Sequence, residues 1–338
     1  MVLCACTAEP IYTYESTAPA QVLSPIRTAG IEDGRARFRE IFCERFDAIG
    51  APADGFSNCD EYLHRLVDEP PTASGATPAL APLSSLRTIV IPGFMNDLAP
   101  GDMRVLGPSI DRLTTDGYQI EYLQVSGGGS AEYNADQIAD YFKDSVFPET
   151  ERLVVIAYSK GALDLMRFVA KYPDLARHVD AVVSYSGAVN GSPLAESAPE
   201  YLIDLAGAIG GSDSGDDAGF SDLKPSVQLP WLASHPLPAH IEYFSLASYT
   251  NRDHVSAILR DSYDQLSQIN AKNDSQLIYY DQVLPGSTLL GYMNGDHWAV
   301  VLPFTEKSTG LASTFVSQNV FPRDAMLEAV LLYIREKL

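Results

Sequence analysis

The sequence "RLVVIAYSKGALDLM" at residues 152–166 passes from a run of β-branched apolar residues directly into a helical pattern. The change of period predicts a strand at 152–158 and a helix at 161–172. Ser159 stands at the junction. If the strand is parallel to its neighbours, this junction lies at the carboxyl edge of the sheet, where α/β proteins bind their ligands.

The residues two positions to either side of Ser159 are small, namely Ala157 and Gly161. A very tight strand-to-helix turn requires small residues there, because larger side chains would meet the neighbouring backbone. This pattern is compatible with a simple tight connection. It also places the Ser159 hydroxyl where a nucleophile is needed, with the Lys160 N–H at the start of the helix available to a developing negative charge.

Similar short runs recur along the rest of the chain. Six β-rich runs have strand length, at residues 86–91, 119–125, 152–158, 179–185, 241–248 and 288–293. Helical patterns occur at residues 36–46, 59–67, 131–142, 161–172, 254–269 and 324–337. Strands that alternate with helices predict an α/β fold, with a mainly parallel central sheet and helices on both faces.

Two regions interrupt this alternation. Residues 1–85 are irregular and proline-rich, and we expect them to form an N-terminal extension to a core of residues 86–190 and 240–338. Residues 191–239 are too long for an ordinary connection and carry their own apolar side chains, so they predict an inserted lid or cap. Three of its side chains are candidates for binding an apolar substrate: Leu202, Phe220 and Trp231.

A serine hydroxyl needs a base to remove its proton and an acid to orient that base. Of the six histidines, His297 follows the last strand run in a Gly-Asp-His-Trp loop, again at the expected carboxyl edge. Three candidate acids lie between the fifth and sixth runs: Asp253, Asp274 and Asp281. Asp253 precedes a helical pattern and is a natural N-cap. The residues alone leave Asp274 and Asp281 open.

The segment "IVIPGFMND" at 89–97 follows the first strand run. The turn at Pro92 and Gly93 lets the N–H of Phe94 face the site. Together with the N–H of Lys160 it would form an oxyanion hole, which needs two such donors. We expect Lys160 to contribute its backbone, with its ammonium group directed away from the chemistry.

The order serine, acid, histidine on this pattern resembles the α/β-hydrolase family, and most of all bacterial lipases and esterases. The resemblance covers about residues 86–338 and rests on four motifs: PGF at 92–94, AYSKG at 157–161, GSPLA at 191–195 and DH at 296–297. It implies an α/β-hydrolase fold with a lid. It also implies a catalytic triad of Ser159, His297 and an aspartate.

The resemblance favours one of the two acids. Bacterial lipases carry their aspartate in an Asn-Asp-Gly turn a little over 20 residues before the histidine, and Asp274 lies in Asn-Asp-Ser, 23 residues before His297. Asp281, 16 residues before it, matches the looser Asp-x-Val-x-Pro pattern of other hydrolases and stays as the alternative acid. Ser275 and Ala157 stand where lipases usually have glycine, and Pro92 where they usually have histidine.

Composition limits the partners. The 338-residue chain has a formal net charge of −21, which disfavours binding to nucleic acid or to anionic lipid surfaces. No run is apolar enough to span a membrane, and no ligand spacing predicts a metal or cofactor. Cys43 and Cys59 could form a disulfide or stay as thiols. "LCAC" at 3–6 resembles the end of a lipoprotein signal, with Cys6 as the lipidated residue, so the cell envelope or secretion is expected and the cytoplasm is the alternative.

These features together predict a serine hydrolase that cleaves small-molecule or lipid carboxylic esters through an acyl-enzyme intermediate. The alternatives are an acyltransferase or thioesterase with the same triad, and a non-catalytic binding protein of the cell envelope. The sequence predicts neither the chain-length preference nor the oligomeric state.

Overall fold

The computed structural model describes residues 30–53, 55–66, 69–71, 85–94, 104–197, 218–302 and 320–338. Within these residues seven parallel strands form one sheet in the order β1-β7-β6-β5-β4-β2-β3. Their bounds are β1 Glu32–Asp33, β2 Leu86–Ile91, β3 Gln119–Tyr122, β4 Arg152–Tyr158, β5 Ala181–Tyr185, β6 Glu242–Tyr249 and β7 Thr288–Asn294. The predicted α/β class and parallel sheet are confirmed, and all six predicted runs form strands.

Helices connect the strands and cover both faces of the sheet. They are α1 Arg35–Ile49, α2 Gly107–Thr115, α3 Ala131–Asp144, α4 Gly161–Lys171, α5 Pro173–Ala176, α6 Pro193–Ser197, α7 Gly219–Asp222, α8 Pro225–Ser234, α9 Arg260–Ser267 and α10 Arg323–Lys337. Successive residues of each central strand point to opposite faces. In β2, for example, Val90 joins the core beneath α1, α2 and α10, whereas Ile89 and Ile91 join the core beneath α3 and α4.

Two predicted helices are shorter than their sequence patterns. The pattern at 59–67 yields a single 3₁₀ turn, Cys59–Glu61. The pattern at 254–269 yields two 3₁₀ turns followed by α9, because Ser256 leaves the helical conformation with a ψ of 135°. The N–H and hydroxyl of Ser256 both donate to the buried Asp296 carboxylate, at 2.7 and 2.6 Å, and this attachment interrupts the helix.

Part of the predicted N-terminal extension lies within the core. Strand β1 pairs with β7, and α1 packs against α10, where Phe38 meets Tyr333 edge-on at 6.0 Å. Cys43 of α1 is joined to Cys59 by a disulfide, with the two Cα atoms 5.2 Å apart. The disulfide therefore fastens the 3₁₀ turn to α1.

The described part of the 191–239 insertion comprises α6, α7 and α8, and it is attached to the core at several points. The N–H of Gly219 donates to the carbonyl of Gly128 at 3.0 Å, and a carboxylate oxygen of Asp222 accepts from the first N–H of α3 at 2.6 Å. The Gln228 amide donates to the Val189 carbonyl at 2.9 Å. A lid function for this insertion stays a prediction.

None of the helices that the structure describes combines the length and the apolar character that a bilayer crossing requires.

Candidate active site

Ser159 occupies a sharp turn between β4 and α4. Its φ of 53° lies in the left-handed region, which a non-glycine residue adopts only where the surroundings force it. A Cβ at Gly161 would lie 2.4 Å from the Pro92 carbonyl oxygen, and one at Gly93 would lie 2.7 Å from the Ser159 Cβ. The close packing of these two backbone segments around Ser159 explains why both glycines are needed.

His297 lies in the loop after β7 and faces Ser159. Its Nε2 is 2.8 Å from the Ser159 Oγ. The Tyr158 hydroxyl donates to the carbonyl of His297 at 2.7 Å, and the two rings lie 4.9 Å apart. Burial raises the pKa of Tyr158 well above its usual value, so its hydroxyl stays neutral and remains a donor. The histidine ring is therefore supported from the strand that carries Ser159.

The adjacent Asp296 anchors the same loop from the other side. Its carboxylate accepts the N–H groups of Trp298 and Ala299, at 3.0 and 2.8 Å, besides both donors of Ser256. Burial raises the pKa of Asp296, while these hydrogen bonds oppose that rise. Asp296 thus fixes the backbone on either side of His297.

Asp274 stands on the far side of His297. Its Oδ2 is 2.8 Å from the His297 Nδ1, and its side chain is completely buried. Its Oδ1 accepts the N–H groups of Gln276 and Leu277, at 2.9 and 2.7 Å. The turn includes Ser275 with a φ of 79°, which accounts for the glycine that lipases usually have at this position.

The other two candidate acids have different surroundings. Asp281 lies in the 3₁₀ turn Tyr279–Gln282, where its Oδ1 accepts from the Asn190 side-chain amide at 3.1 Å. Asp253 lies in the 3₁₀ turn Arg252–His254 and is exposed. The structure therefore joins Asp274 to His297 and places Asp281 against Asn190.

The two predicted oxyanion donors flank Ser159. Phe94 directly follows Gly93, whose backbone touches the serine, and Lys160 directly precedes α4. The Lys160 ammonium is buried and pairs with Asp164 at 2.7 Å. Asp164 also accepts from the Asn134 amide at 2.9 Å, and burial raises its pKa to about 6 despite the lysine. The lysine side chain is thus occupied away from the Ser159 hydroxyl.

The three predicted substrate-binding residues have different surroundings. Phe220 of α7 contacts Phe94, with ring centroids 6.1 Å apart, and so lies beside the site. Trp231 lies between the Arg167 guanidinium, 3.6 Å from its ring centroid, and the His235 ring at 4.5 Å. Leu202 lies outside the described residues.

Sequence reasoning missed three polar residues around Asp274. The hydroxyl of Ser248, in β6, is 2.7 Å from Asp274 Oδ2, and the Gln282 amide nitrogen is 3.3 Å from the same oxygen. Ser186 Oγ lies 2.8 Å from Ser248 Oγ. The one available signal was position, since Ser186 and Ser248 lie at the carboxyl ends of β5 and β6.

In the described part of the chain, one group of side chains could bring three metal-binding atoms together: Cys43, Cys59 and Asp60. Because both cysteine sulfurs belong to the disulfide, neither is available as a thiolate ligand.

Comparison with solved structures identifies the fold. The metagenomic carboxyl esterase MGS0156 matches with a TM-score of 0.85 and 36% identity, over 93% of this chain and 95% of that protein. The mature Bacillus licheniformis lipase BlEst2 matches with a TM-score of 0.51 and 17% identity, over 65% of this chain and 89% of that one. EstA from Clostridium botulinum matches with a TM-score of 0.51 and 13% identity, over 81% and 95%.

The last two similarities concern the fold alone, because their identities are low. No protein-family model and no curated protein sequence matches this chain. The identity and coverage shared with the metagenomic esterase extend the likeness from the fold to the family. This chain belongs to the α/β-hydrolase family, with bacterial esterases and lipases among its structural neighbours.

Proposed function

We propose that this protein is a serine hydrolase that cleaves carboxylic esters through an acyl-enzyme intermediate. The observation that carries the proposal is the hydrogen-bonded chain from Ser159 through His297 to Asp274, with both links at 2.8 Å. A strained serine, a histidine and a buried carboxylate in this order meet the geometric requirements for activating a hydroxyl. The carboxyl esterase at 36% identity supports carboxylic esters as the substrate class.

In the first half of the reaction, the Ser159 oxygen attacks the ester carbonyl carbon while His297 Nε2 takes the hydroxyl proton. Asp274 holds the imidazole in the tautomer whose Nε2 is free to accept, and it stabilises the imidazolium. The tetrahedral intermediate then collapses. The carbon–oxygen bond to the alcohol breaks, and His297 returns the proton to the departing alcohol oxygen.

In the second half, water attacks the acyl-enzyme and gives a proton to His297 Nε2. A second tetrahedral intermediate releases the carboxylic acid, and the proton returns to Ser159. In both halves the N–H groups of Phe94 and Lys160 stabilise the negative oxygen. The position of Lys160 at the N-terminal end of α4 adds the favourable field of the helix dipole.

The apolar side of the substrate would lie against Phe94 and Phe220, whose rings are in contact and of which Phe94 follows the Gly93 that packs on Ser159. An apolar acyl chain fits such a surface better than a charged peptide, which favours an esterase or lipase over a peptidase. We include the insertion from 191 to 239 in the proposal as the cap over this surface. A series of acyl esters of increasing length measures the chain-length preference directly.

Ser159→Ala tests the proposal. It should abolish hydrolysis of a chromogenic acyl ester and labelling by a fluorophosphonate probe, while the melting temperature stays close to that of the wild type. Ser234→Ala, at an exposed serine of α8, is the control and should retain both. Undiminished turnover in the Ser159 variant would contradict the assignment.

We also propose that the protein works in an oxidising compartment, at the cell envelope or outside the cell. The Cys43–Cys59 disulfide supports this, since such bonds persist mainly in oxidising compartments. Cys6, the residue proposed for lipidation, lies outside the described residues. Fractionation of the native cells, with thiol alkylation of each fraction, tests the location. Recovery of reduced protein in the cytoplasmic fraction would contradict it.

A further inference from the structure

The hydrogen-bonded chain at the active site continues beyond Asp274. Ser248 Oγ lies 2.7 Å from Asp274 Oδ2, the same oxygen that faces His297 Nδ1. Ser186 Oγ lies 2.8 Å from Ser248 Oγ. All these groups except the His297 ring, which is 4% exposed, are inaccessible to solvent. The chain of hydrogen bonds therefore runs without a break from the carboxyl ends of the central strands β5 and β6 to the serine at the end of β4.

The direction of each hydrogen bond follows from the chemistry of the groups. An ionised carboxylate only accepts, so the single hydroxyl proton of Ser248 points at Asp274. The lone pairs of Ser248 then accept the proton of Ser186. The other acceptor near Ser248, the Gln282 side-chain oxygen, is farther away at 3.2 Å and already accepts the Ser248 N–H at 2.7 Å.

The backbone of Ser248 is fixed by Gln282. The Gln282 amide accepts the Ser248 N–H and donates to the Ser248 carbonyl at 2.8 Å, as a neighbouring strand would. The same amide nitrogen lies 3.3 Å from Asp274 Oδ2. With the backbone held in this way, the buried hydroxyl lies between Ser186 Oγ and Asp274 Oδ2, so its donation to the carboxylate is built into the fold.

We propose, on the basis of the proposed function, that Ser248 is a positioning residue that fixes Asp274 and thereby tunes His297 as the base. The two carboxylate oxygens have separate roles. Oδ1 is held by the N–H groups of the 274–277 turn, whereas Oδ2 divides its negative charge between the Ser248 hydroxyl and the imidazole. Ser186 supports Ser248 from behind and has a smaller effect.

Removing the Ser248 hydroxyl leaves more negative charge on Oδ2. The imidazolium of His297 beside this charge is then expected to keep its proton to higher pH in the variant, so the acid limb of activity moves upward. Asp296 and Tyr158 are titratable side chains close enough to this pair for the charge of Asp274 to influence them. Asp296 and Tyr158 are both retained in a Ser248 variant, so a shift in the acid limb of the pH profile reports on the loss of the Ser248 hydroxyl.

The test compares Ser248→Ala and Ser186→Ala with the wild type in kcat and KM across pH. Ser248→Ala should lower kcat by about tenfold, with KM within about twofold, because the hydrogen bond lost is to a charged group that does not touch substrate. Its acid limb should rise by roughly 0.5 pH unit. Ser186→Ala should also lower kcat and raise the acid limb, each by less than Ser248→Ala does.

Ser245→Ala is the matched control. Ser245 is a buried serine of the same strand whose hydroxyl bonds to Ser287 and to the Leu284 N–H, at 2.8 and 2.9 Å. The Ser245→Ala variant should lose about as much stability as Ser248→Ala, while its kcat and the acid limb of its pH profile stay those of the wild type. The proposal would be overturned if Ser248→Ala kept the wild-type kcat and acid limb, or if Ser245→Ala changed both by the same amount as Ser248→Ala.

A second readout separates this proposal from the proposed function. The titration of His297, followed by NMR of the imidazole, does not depend on any ester being cleaved. In Ser248→Ala that titration should move to higher pH even if no substrate is found. If the His297 titration moves to higher pH in Ser248→Ala while the wild type hydrolyses no ester, the proposed function fails and the role of Ser248 stands. If esters are hydrolysed and it does not move, the role of Ser248 fails.

Discussion

Replacing Asp274 by asparagine tests the site most directly, because the structure dictates how the new amide must lie. Oδ1 accepts two backbone N–H groups, from Gln276 and Leu277, so the amide oxygen of the variant must occupy that position. The NH₂ group then takes the place of Oδ2, 2.8 Å from His297 Nδ1. A donor at this point forces Nδ1 to accept, which moves the imidazole proton to Nε2.

The wrong tautomer determines the size of the effect. With its proton on Nε2, His297 presents a donor to the Ser159 hydroxyl and cannot remove the serine proton. We expect kcat to fall by about 10⁴-fold, the usual effect of this exchange in a serine triad, or about 5.5 kcal/mol of transition-state stabilisation. Stability should change by only about 1 kcal/mol, since the NH₂ can donate to both His297 and Ser248.

Steady-state hydrolysis of a short-chain chromogenic ester, together with urea unfolding, measures both quantities. Asp281→Asn is the matched control, because it makes the same chemical change at a carboxylate that accepts from Asn190. The control should keep kcat within about threefold of the wild type. The reasoning would be refuted if the Asp274 variant kept more than a tenth of the wild-type kcat, or if the Asp281 variant lost more kcat than the Asp274 variant.

Three further changes have definite expected outcomes. Gly93→Ala, whose Cβ would lie 2.7 Å from the Ser159 Cβ, should lower kcat by about 100-fold or more, with fluorophosphonate labelling slowed in parallel. Cys43→Ser combined with Cys59→Ser should lower the unfolding free energy by about 3 kcal/mol, and a reductant should destabilise the wild type alone. Burial lowers the pKa of His64 from 6.5 to about 4. The free energy of unfolding therefore has its full value above pH 6.5, and it decreases as the pH falls from 6.5 toward 4, because the unfolded chain binds a proton that the folded protein does not. Between pH 7 and pH 5, His64→Gln should therefore lose about 2 kcal/mol less unfolding free energy than the wild type in urea titrations.

The strands could be predicted because buried parallel strands are continuous apolar runs, and all six predicted runs form strands. Strand β1 gave no such signal. It consists of Glu32 and Asp33, both exposed, and it exists only because β7 offers an open edge to pair with. Helix α2 was missed for a related reason. Its sequence begins with glycine and proline and ends with two threonines, but the burial of Ile110 and Leu113 stabilises the helix.

At the site, the residues that could be predicted are those whose role depends on local backbone geometry. Ser159 sits on a turn that needs small neighbours, and Asp274 sits in a turn that needs a left-handed residue after it. No such requirement for a left-handed residue distinguishes Asp281 from Gln282. These consecutive residues share one 3₁₀ turn, yet the carboxylate bonds to Asn190 and the amide reaches Asp274. Of these two residues, Gln282 is the one whose side chain reaches Asp274, and its sequence pattern gave no indication of that contact.

Ser248 shows why the remainder of the site gives no sequence signal. A serine near the end of a buried strand has the same local pattern whether its hydroxyl meets a carbonyl, another serine or a carboxylate. Its function is created by residues 62 positions before it and 26 positions after it, which the sheet order brings to one edge. Because β5 and β6 are neighbours and Asn273 pairs with Thr250 just after β6, the Ser248 hydroxyl lies against the carboxylate that is bonded to His297. Such a role follows from the topology, and only the assembled sheet reveals it.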